Sequence, residues 1–593
     1  MEIPRRKIEG MFDPQTAKNI LSWLEDVVCD HTSVLTLLDN DPERLRELFS
    51  ETLTFGTAGL RGLMGIGTNR LNVFTIRRAT QGLARVLKRR YPDEKISVVI
   101  GYDTRHDSFE FGQETAKVLA GNGILAYLFQ IPEPLALVSY SVRELQAKAG
   151  VMITASHNPP AYNGYKVYMS TGGQVLPPMD QEIMEEFQKV EMVSAVESLD
   201  HPYIRMIQED MENYYEETLH KLQLCEEDNR RHGSLLRISY SPLHGTGVTM
   251  IPRILKDWGF SSVSLVEKQM VPDGDFPTVV LPNPEDPEAL VLGIQQMVEQ
   301  KDDLFIATDP DSDRIGVVSL EKEGPYRFNG NQIACLLAAH ILSKESQKAP
   351  LGAEDKVVKS LVTTELLTAI SESYGANIVN VGAGFKYIGE KIELWRSGME
   401  RFIFGAEESY GYLYGSYVED KDAMIAAVLI SEAALQQKIR GCTLRDALLE
   451  LYEVYGYYAN RTESIDLPID QPQRKQELLD RWETQDPLRM SLSSRKLIAF
   501  ENYNTGEGRD LVTDITYKLS LPKMSMLCFY YEGDCRVIVR PSGTEPKMKL
   551  YFEIKQSFSE FSKERTVREA REKESFEALQ QFIKETKSYL FYS

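Results

Sequence analysis

The sequence predicts a multidomain α/β protein that closes with a smaller α+β unit, and three observations point there. At 593 residues the chain is longer than one hydrophobic core organises, so three or four domains of roughly 100–200 residues are expected. Short apolar runs at 98–100, 151–153, 304–307 and 403–404 alternate with longer stretches of helical spacing, the pattern of βαβ units. Past residue 487 the strands become alternating, through Met526, Cys528 and Tyr530 and again over 536–539, and a charged amphipathic helix is expected over 560–590.

In chain order, residues 12–50 carry apolar side chains at helical spacing (Ile20, Leu21, Trp23, Leu24; then Val34, Leu35, Leu37, Leu38), and Asp13-Pro14 suits a helix start. This reads as a helical lead-in to the α/β body. Polar, turn-rich stretches at 226–234 and 343–355 interrupt the body, and 461–487, rich in Asp, Gln, Pro and Arg, is the expected domain linker. A formal net charge of -21 opposes general attraction to nucleic acid or an anionic membrane, so an anionic small substrate needs a local basic pocket. The six cysteines lie scattered without CxxC pairs, which argues against a zinc knuckle and a disulfide framework and fits a reducing, cytoplasmic setting. The first residues lack the apolar run of a secretory signal, and the most apolar stretch, 423–430, is far shorter than a bilayer span.

Four loops have the residue types for chemistry. In Thr154-Ala155-Ser156-His157-Asn158-Pro159-Pro160, after an apolar strand, the Ser156 hydroxyl is placed to act as a nucleophile; an ordinary turn serine is the alternative. GxSxG is missing around Ser156, which excludes a hydrolase elbow, and His157 is not expected to be its base, because neighbours on an extended chain point opposite ways. In Asp309-Pro310-Asp311-Ser312-Asp313-Arg314, three carboxylates on alternate residues can converge on one hard cation, whose charge offsets their repulsion. A solvated acidic turn is the alternative; an EF-hand fails, because Arg314 stands where Gly is needed and Leu320 where Glu is needed.

In Gly405-Ala406-Glu407-Glu408-Ser409-Tyr410-Gly411-Tyr412, carboxylates and a hydroxyl between glycines suit vicinal sugar hydroxyls, and a helix N-cap fits equally. In Arg540-Pro541-Ser542-Gly543-Thr544-Glu545-Pro546-Lys547, small donors and two cations suit a phosphate, with a surface turn as the alternative. Residues 384–391 approach a Walker loop, but Glu390 occupies the lysine position. A nucleophile, a cation cage, a polyol loop and a phosphate nest together describe phosphoryl transfer on a sugar phosphate, in a cleft where several domains meet.

TASHNP, DPDSDR, GAEESYG and RPSGTEPK resemble, in the same order, the serine, metal, sugar and phosphate loops of the α-D-phosphohexomutase superfamily. The likeness continues in FGTAGLRG (55–62), GYDTR (101–105), PLHGTG (242–247) and PDGDFPT (272–278), so it spans about residues 50–555. It implies four domains around a central cleft: three related α/β domains with mixed sheets at 1–205 (with the helical extension and serine loop), 206–322 (metal loop) and 323–458 (sugar loop), and a smaller α+β domain at 459–593 (phosphate loop). It implies that Ser156 carries a phosphoryl group, one oxygen of which joins Asp309, Asp311 and Asp313 around a single magnesium ion. By the same resemblance Glu407 and Ser409 hold sugar hydroxyls, and Arg540, Ser542, Gly543, Thr544 and Lys547 hold the non-reacting phosphate. Lys166 matches a general acid or base, or else a plain phosphate-binding lysine, while Arg61, Arg105, Arg314 and Lys386 match basic residues around the reacting centre. His157 completes the expected catalytic set and Lys421 the substrate-binding set.

EESYG resembles the glucose-preferring sugar loop, so the implied reaction interconverts glucose 1-phosphate and glucose 6-phosphate, with glucose 1,6-bisphosphate as intermediate and activator. Phosphopentomutase, phosphomannomutase and glucose 1,6-bisphosphate synthase are the enzymatic alternatives. An inactive sugar-phosphate-binding regulator is the non-enzymatic one, opposed by the presence of Ser156 and the three aspartates. Ala406 and Pro160 depart from the family pattern. A monomer or weak homodimer acting on a small sugar phosphate, without nucleic-acid or membrane partners, is expected.

Overall fold

The computed structural model describes residues 3–26, 28–54, 59–467, 474–484, 492, 495–541, 547–556 and 565–592. The lead-in is four helices, Arg5–Met11, Pro14–Glu25, His31–Asn40 and Pro42–Phe49. Asp13 caps the second, accepting from the backbone N–H groups of Gln15 and Thr16 at 3.0 Å, and Pro14 supplies a φ preset for the first turn. Their apolar faces make a small core of their own, where Trp23 meets Phe49 and Phe74, the last from the helix Val73–Arg90 of the α/β body.

The body is three mixed sheets in succession. The first runs Leu60–Leu63, Tyr162–Met169, Ala149–Ile153, Ser97–Tyr102, Leu125–Phe129, Ile204–Ile207, its last four strands parallel and its first two antiparallel to their neighbours. The second runs Gly324–Arg327, Ile315–Glu321, Leu304–Thr308, Ile238–Ser241, Val263–Leu265, a parallel core with an antiparallel hairpin at one side. The third runs Asn377–Val381, Asp355–Ser360, Arg401–Glu407, Gly411–Tyr414, again closed by a hairpin. Helices cover both faces, which is why the central strands read as unbroken apolar runs: Val98, Val99 and Ile100 are all fully buried. One contiguous apolar cluster, from Leu60 to Tyr458, joins these three units.

The last sheet is antiparallel, with seven strands in the order Tyr457–Asp466, Lys547–Gln556, Cys535–Pro541, Leu527–Tyr531, Leu497–Asn502, Glu507–Asp510, Ile515–Lys518, and it has its own core. The alternation read in its sequence has two buried destinations. Leu527, Phe529 and Tyr531 enter that core, while Met526 and Cys528 pack on Leu361 and Val362 of the third unit.

Three expectations from composition need correction. The stretch 461–487 is not a linker: Tyr457–Asp466 pairs along its whole length with Lys547–Gln556, and Arg474–Thr484 is a helix. Its polarity is that of an edge strand, and the chain turns instead at Gly456, whose φ of 92° follows the helix Leu444–Tyr455. Residues 226–232 form a helix with acidic residues in its first turn and basic ones in its last, matching its dipole. Residues 343–348 continue the helix Gly330–Lys348. Among the described residues, no helix is long and apolar enough to cross a membrane.

Candidate active site

The strand Ala149–Ile153 ends in the serine loop. Ser156 takes a left-handed φ of 52°, fixed by its N–H donating to the Thr154 hydroxyl at 2.8 Å. Because the loop is not extended here, Ser156 and His157 turn to the same side, and Ser156 Oγ lies 3.2 Å from His157 Nδ1, contrary to the divergence expected of neighbours on a strand. Burial, then Arg314 and Arg61, push the His157 pKa well below the ordinary imidazole value and keep the ring neutral. Arg61, on Leu60–Leu63, donates to Asn158 Oδ1 at 3.2 Å.

Arg105 was expected among the substrate-binding residues, and its geometry gives it another task. It is 3% exposed and donates to the carbonyls of Ser156 (2.6 Å), Pro159 (2.8 Å), Tyr162 (3.0 Å) and Asn158, with the Asp103 carboxylate 3.3 Å from its Nε. Its fork is spent on holding the serine loop in shape.

The aspartate loop joins Leu304–Thr308 to Ile315–Glu321. Asp309 Oδ1 accepts the backbone N–H groups of Asp313 (3.1 Å) and Arg314 (3.0 Å), which leaves Asp309 Oδ2 to accept the Ser156 hydroxyl at 2.8 Å. Carboxylate oxygens of Asp309, Asp311 and Asp313 all lie within 4.8 Å of one another, and none of the three residues is more than 1% exposed. Lys166 Nζ sits 2.8 Å from Asp311 Oδ2 and 3.6 Å from Asp313 Oδ2; Lys421 Nζ reaches Asp313 Oδ2 at 2.9 Å. Arg314 Nε is 3.8 Å from Asp313 Oδ1. Burial, then Asp313 and Asp311, raise the Asp309 pKa well above the carboxylate range; at Asp311 burial also acts upward, but Lys166, the hydrogen bond with Asp309 and Lys421 together bring the pKa below the ordinary value.

Asp311 Oδ1 and Asp313 Oδ1 are buried without any hydrogen-bond partner. Anionic oxygens in that condition are costly, and Lys166, Lys421 and Arg314 leave these two without a hydrogen-bond partner, so the all-oxygen donor set fits a hard divalent metal.

The expected sugar loop is a hairpin turn, not a helix cap. Glu407 ends Arg401–Glu407, Gly411 begins Gly411–Tyr414, and half-buried Ser409 sits in the turn between them. A Cβ at Gly411 would stand 2.3 Å from Lys421 Cδ, so glycine is what lets the lysine pass over the hairpin to Asp313. Glu407 Oε1 accepts the Gly384 N–H at 2.9 Å, and burial pushes its pKa up to about 7. Glu408 turns away, accepting from the Ser360 hydroxyl at 3.0 Å. Lys386 opens the helix Lys386–Trp395, 7% exposed, its Nζ 5.4 Å from the Tyr387 ring. Arg540 stands near the end of one strand and Lys547, 3.8 Å from Asp466, begins the next; Ser542, Gly543 and Thr544 lie outside the described residues.

Three units thus bring Ser156, His157, Lys166, Arg61, Asp309, Asp311, Asp313, Arg314 and Lys421 together. Sequence reading missed Thr154, whose hydroxyl lies between Asp103 (2.7 Å) and Asp311 (3.2 Å), although it stands two places from Ser156. It also missed Asp420, which accepts from Gln174 Nε2 at 2.6 Å and the Tyr168 hydroxyl at 3.2 Å beside Lys421. Those donors stand at chain separations of 246 and 252, so no local pattern announces them.

Unit content and site geometry together define a phosphosugar mutase. Family models described as phosphoglucomutase/phosphomannomutase alpha/beta/alpha domains I, II and III match residues 52–194, 212–322 and 329–455, and the C-terminal domain of the same family matches 527–566. The chain belongs to the phosphoglucomutase/phosphomannomutase family. It is 33% identical over 547 residues to a phosphoglucomutase of Staphylococcus saprophyticus, covering 90% of this chain and 96% of that one. It is 35% identical over 540 residues to a phosphoglucomutase of Staphylococcus haemolyticus, covering 88% and 94%. The fold is shared with a putative phosphomannomutase of Thermus thermophilus (TM-score 0.65, 23% identity, 85% of this chain and 96% of that one). It is shared too with the open form of Paramecium parafusin, a phosphoglucomutase (TM-score 0.68, 16% identity, 91% and 95%).

Proposed function

We propose that the enzyme interconverts glucose 1-phosphate and glucose 6-phosphate through a phosphorylated Ser156. The observation that carries this reading is the Ser156 hydroxyl 2.8 Å from Asp309 Oδ2, at the mouth of a buried carboxylate cage. Asp309, Asp311, Asp313 and a phosphoserine oxygen would hold one magnesium ion. When bound, it supplies the positive charge that neutralises the cage and favours charge spreading over the phosphoryl oxygens.

The chain's own residues do the rest. Arg105 and Thr154 fix the serine loop, so that the sugar hydroxyl meets the phosphorus in line with the Ser156 O–P bond that breaks. Lys166 relays a proton, giving one to the leaving Ser156 oxygen and taking the one shed by the sugar hydroxyl, as the Ser156 O–P bond breaks and the sugar O–P bond forms, giving a sugar bisphosphate and a free serine hydroxyl. The bisphosphate turns end for end, and its other phosphoryl group returns to Ser156, with the proton going back to the sugar oxygen. Glu407 and Ser409 hold sugar hydroxyls in both orientations, while Lys386 and the 540–547 loop hold the phosphate that is not reacting. Arg314 and Lys421, placed against Asp313, add fixed positive charge where the transferring group passes. The glucose preference is supported by the Glu407-Glu408-Ser409 turn and by relatives named phosphoglucomutase. Four domains are supported by the four separate sheets, with limits shifted from 205/206, 322/323 and 458/459 to positions after Ile207, after Arg327 and at Gly456, because the first and last of those limits cut the strands Ile204–Ile207 and Tyr457–Asp466 and the middle one splits the hairpin of the second sheet.

A coupled assay with glucose, mannose, ribose and N-acetylglucosamine 1-phosphates, each with a trace of glucose 1,6-bisphosphate, tests the reading. Glucose 1-phosphate is expected to show the highest kcat/KM by about tenfold or more, one extra or missing polar contact being worth that much. Ser156→Ala is expected to lose at least ~10³-fold in kcat. Full activity of that variant, or a faster reaction with another sugar, would overturn the mechanism or the substrate respectively.

A further inference from the structure

Away from the cleft, the helix Glu226–His232 of the second unit meets the helices Gly330–Lys348 and Ala423–Ile439 around a second cluster of metal-ligating side chains. Cys225, His340 and Glu432 each offer a ligand atom within 4.8 Å of the other two. Cys225 is 8% exposed, Glu432 is fully buried, and the His340 side chain is 7% exposed. The Glu432 carboxylate organises the group: Oε1 lies 2.8 Å from His340 Nε2, and Oε2 accepts the Cys225 N–H at 2.9 Å and Asn229 Nδ2 at 2.6 Å. Asn229 is itself fully buried, and its Oδ1 has no hydrogen-bond partner.

We propose that Cys225, His340 and Glu432 form a zinc site, with Asn229 Oδ1 or a water as fourth ligand. One soft sulfur, one imidazole and one carboxylate suit zinc and not magnesium, which takes oxygen ligands in an octahedron. A buried amide oxygen left unpaired against the same carboxylate is the kind of group a metal shell satisfies. Burial, then Glu432, push the Cys225 thiol up to about 12, so the sulfur carries its proton until a cation displaces it. On binding, the S–H bond breaks, a sulfur–zinc bond forms and the thiol proton leaves to solvent, while the imidazole proton that faces Glu432 Oε1 from Nε2 shifts through solvent to Nδ1 and frees Nε2 to bind the metal. Sequence spacing gives no hint of the site, because its ligands stand at 225, 340 and 432 and meet only in the fold. Zinc there would clamp the second unit to the third, the two that carry the aspartate loop and the sugar hairpin.

The test loads the full-length enzyme with zinc, or with cobalt as its spectroscopic stand-in, in excess magnesium and then dialyses it. The expected result is about one retained zinc per chain and a thiolate-to-cobalt charge-transfer band, as a four-ligand site with one sulfur predicts. Cys225→Ser should abolish the band, and Cys335→Ser should leave it. A band that survives Cys225→Ser, or no metal retained above the magnesium background, would overturn the proposal and leave a hydrogen-bonded staple. Should Cys225→Ser fail to fold, judged by circular dichroism and mutase turnover, His340→Gln keeps a donor for Glu432 and should bind zinc roughly tenfold more weakly or worse. Unchanged zinc affinity in that variant would equally overturn it. Because the band requires sulfur, metal held by the aspartate cage cannot mimic it.

Discussion

Glu407 sits where its neutral form is favoured, yet the proposed chemistry uses it as a hydrogen-bond acceptor. Its pKa is held at about 7 against an ordinary 4.5, burial being the main cause and Lys421 opposing it. Between those values the native protein keeps a proton that the unfolded chain gives up, so stability falls as pH rises through the window, and the whole cost is present above pH 7. At 1.36 kcal/mol per unit that cost is about 3 kcal/mol. Glu407→Gln should therefore unfold at nearly the wild-type urea midpoint near pH 5, yet be more stable by about 3 kcal/mol at pH 8. At pH 8 its kcat/KM should fall roughly 10–100-fold, the worth of a hydrogen bond to a charged group. Urea titrations at the two pH values check the first part and steady-state kinetics the second. A variant destabilised at pH 8 would mean that the carboxylate is a structural group. Residues of this kind are legible in sequence, since Glu407 and Ser409 declare themselves by type between glycines; the proton on Glu407 is not, because burial sets it.

At the scale of elements, the serine loop shows what a motif does not say. TASHNP names the nucleophile, but the loop keeps its left-handed turn because Arg105 reaches four of its carbonyls, from 51 to 57 residues away in the chain. Nothing local in GYDTR distinguishes a guanidinium that meets substrate from one that props a loop. Arg105→Lys keeps the charge but offers three rotating donors in place of a rigid fork, so carbonyls buried beneath the loop lose partners. The expected loss is roughly 2–4 kcal/mol in unfolding free energy. Turnover should fall about 10²-fold from misplacement of Ser156 by a fraction of an ångström to an ångström. Denaturant unfolding and kcat at saturating glucose 1-phosphate read the two effects. Retained stability with lost activity would return Arg105 to the substrate-binding set. The same tertiary dependence accounts for the mistaken linker: an edge strand that faces water on one side has the composition of a connector, and only its pairing with Lys547–Gln556 reveals it.

For the whole molecule, alternation of apolar strands with helices predicted an α/β body and the family resemblance its three units, but neither told that they share one core while the last sheet keeps another. The last unit docks on the third through the apolar seam at Leu361 and Val362 and through a polar joint beside it. Arg536, 5% exposed, donates to the carbonyls of Leu361 (3.2 Å) and Thr363 (2.7 Å) and pairs with Glu365 (2.5 Å) and Glu553 (3.1 Å). Lys359 holds Glu365 from the other side at 3.0 Å. Arg536→Met removes the side chain that ties the carbonyls and Glu365 of the third unit to Glu553 of the last, leaving Glu553 buried without its cation, a loss of about 3 kcal/mol or more. Two cores imply two calorimetric transitions, and the variant should lower the one belonging to the last unit while barely moving the other. Backbone hydrogen exchange at 535–541 and 361–365 should quicken in step. The kinetic consequence separates docking from chemistry. In the proposed reaction the last unit grips a phosphate that is bound equally in ground and transition states, so a loosened joint should raise KM for glucose 1-phosphate about tenfold with kcat nearly unchanged. A collapse of kcat at constant KM would instead place the joint in the chemical step, and the last unit would then have to help align the phosphoryl group with Ser156.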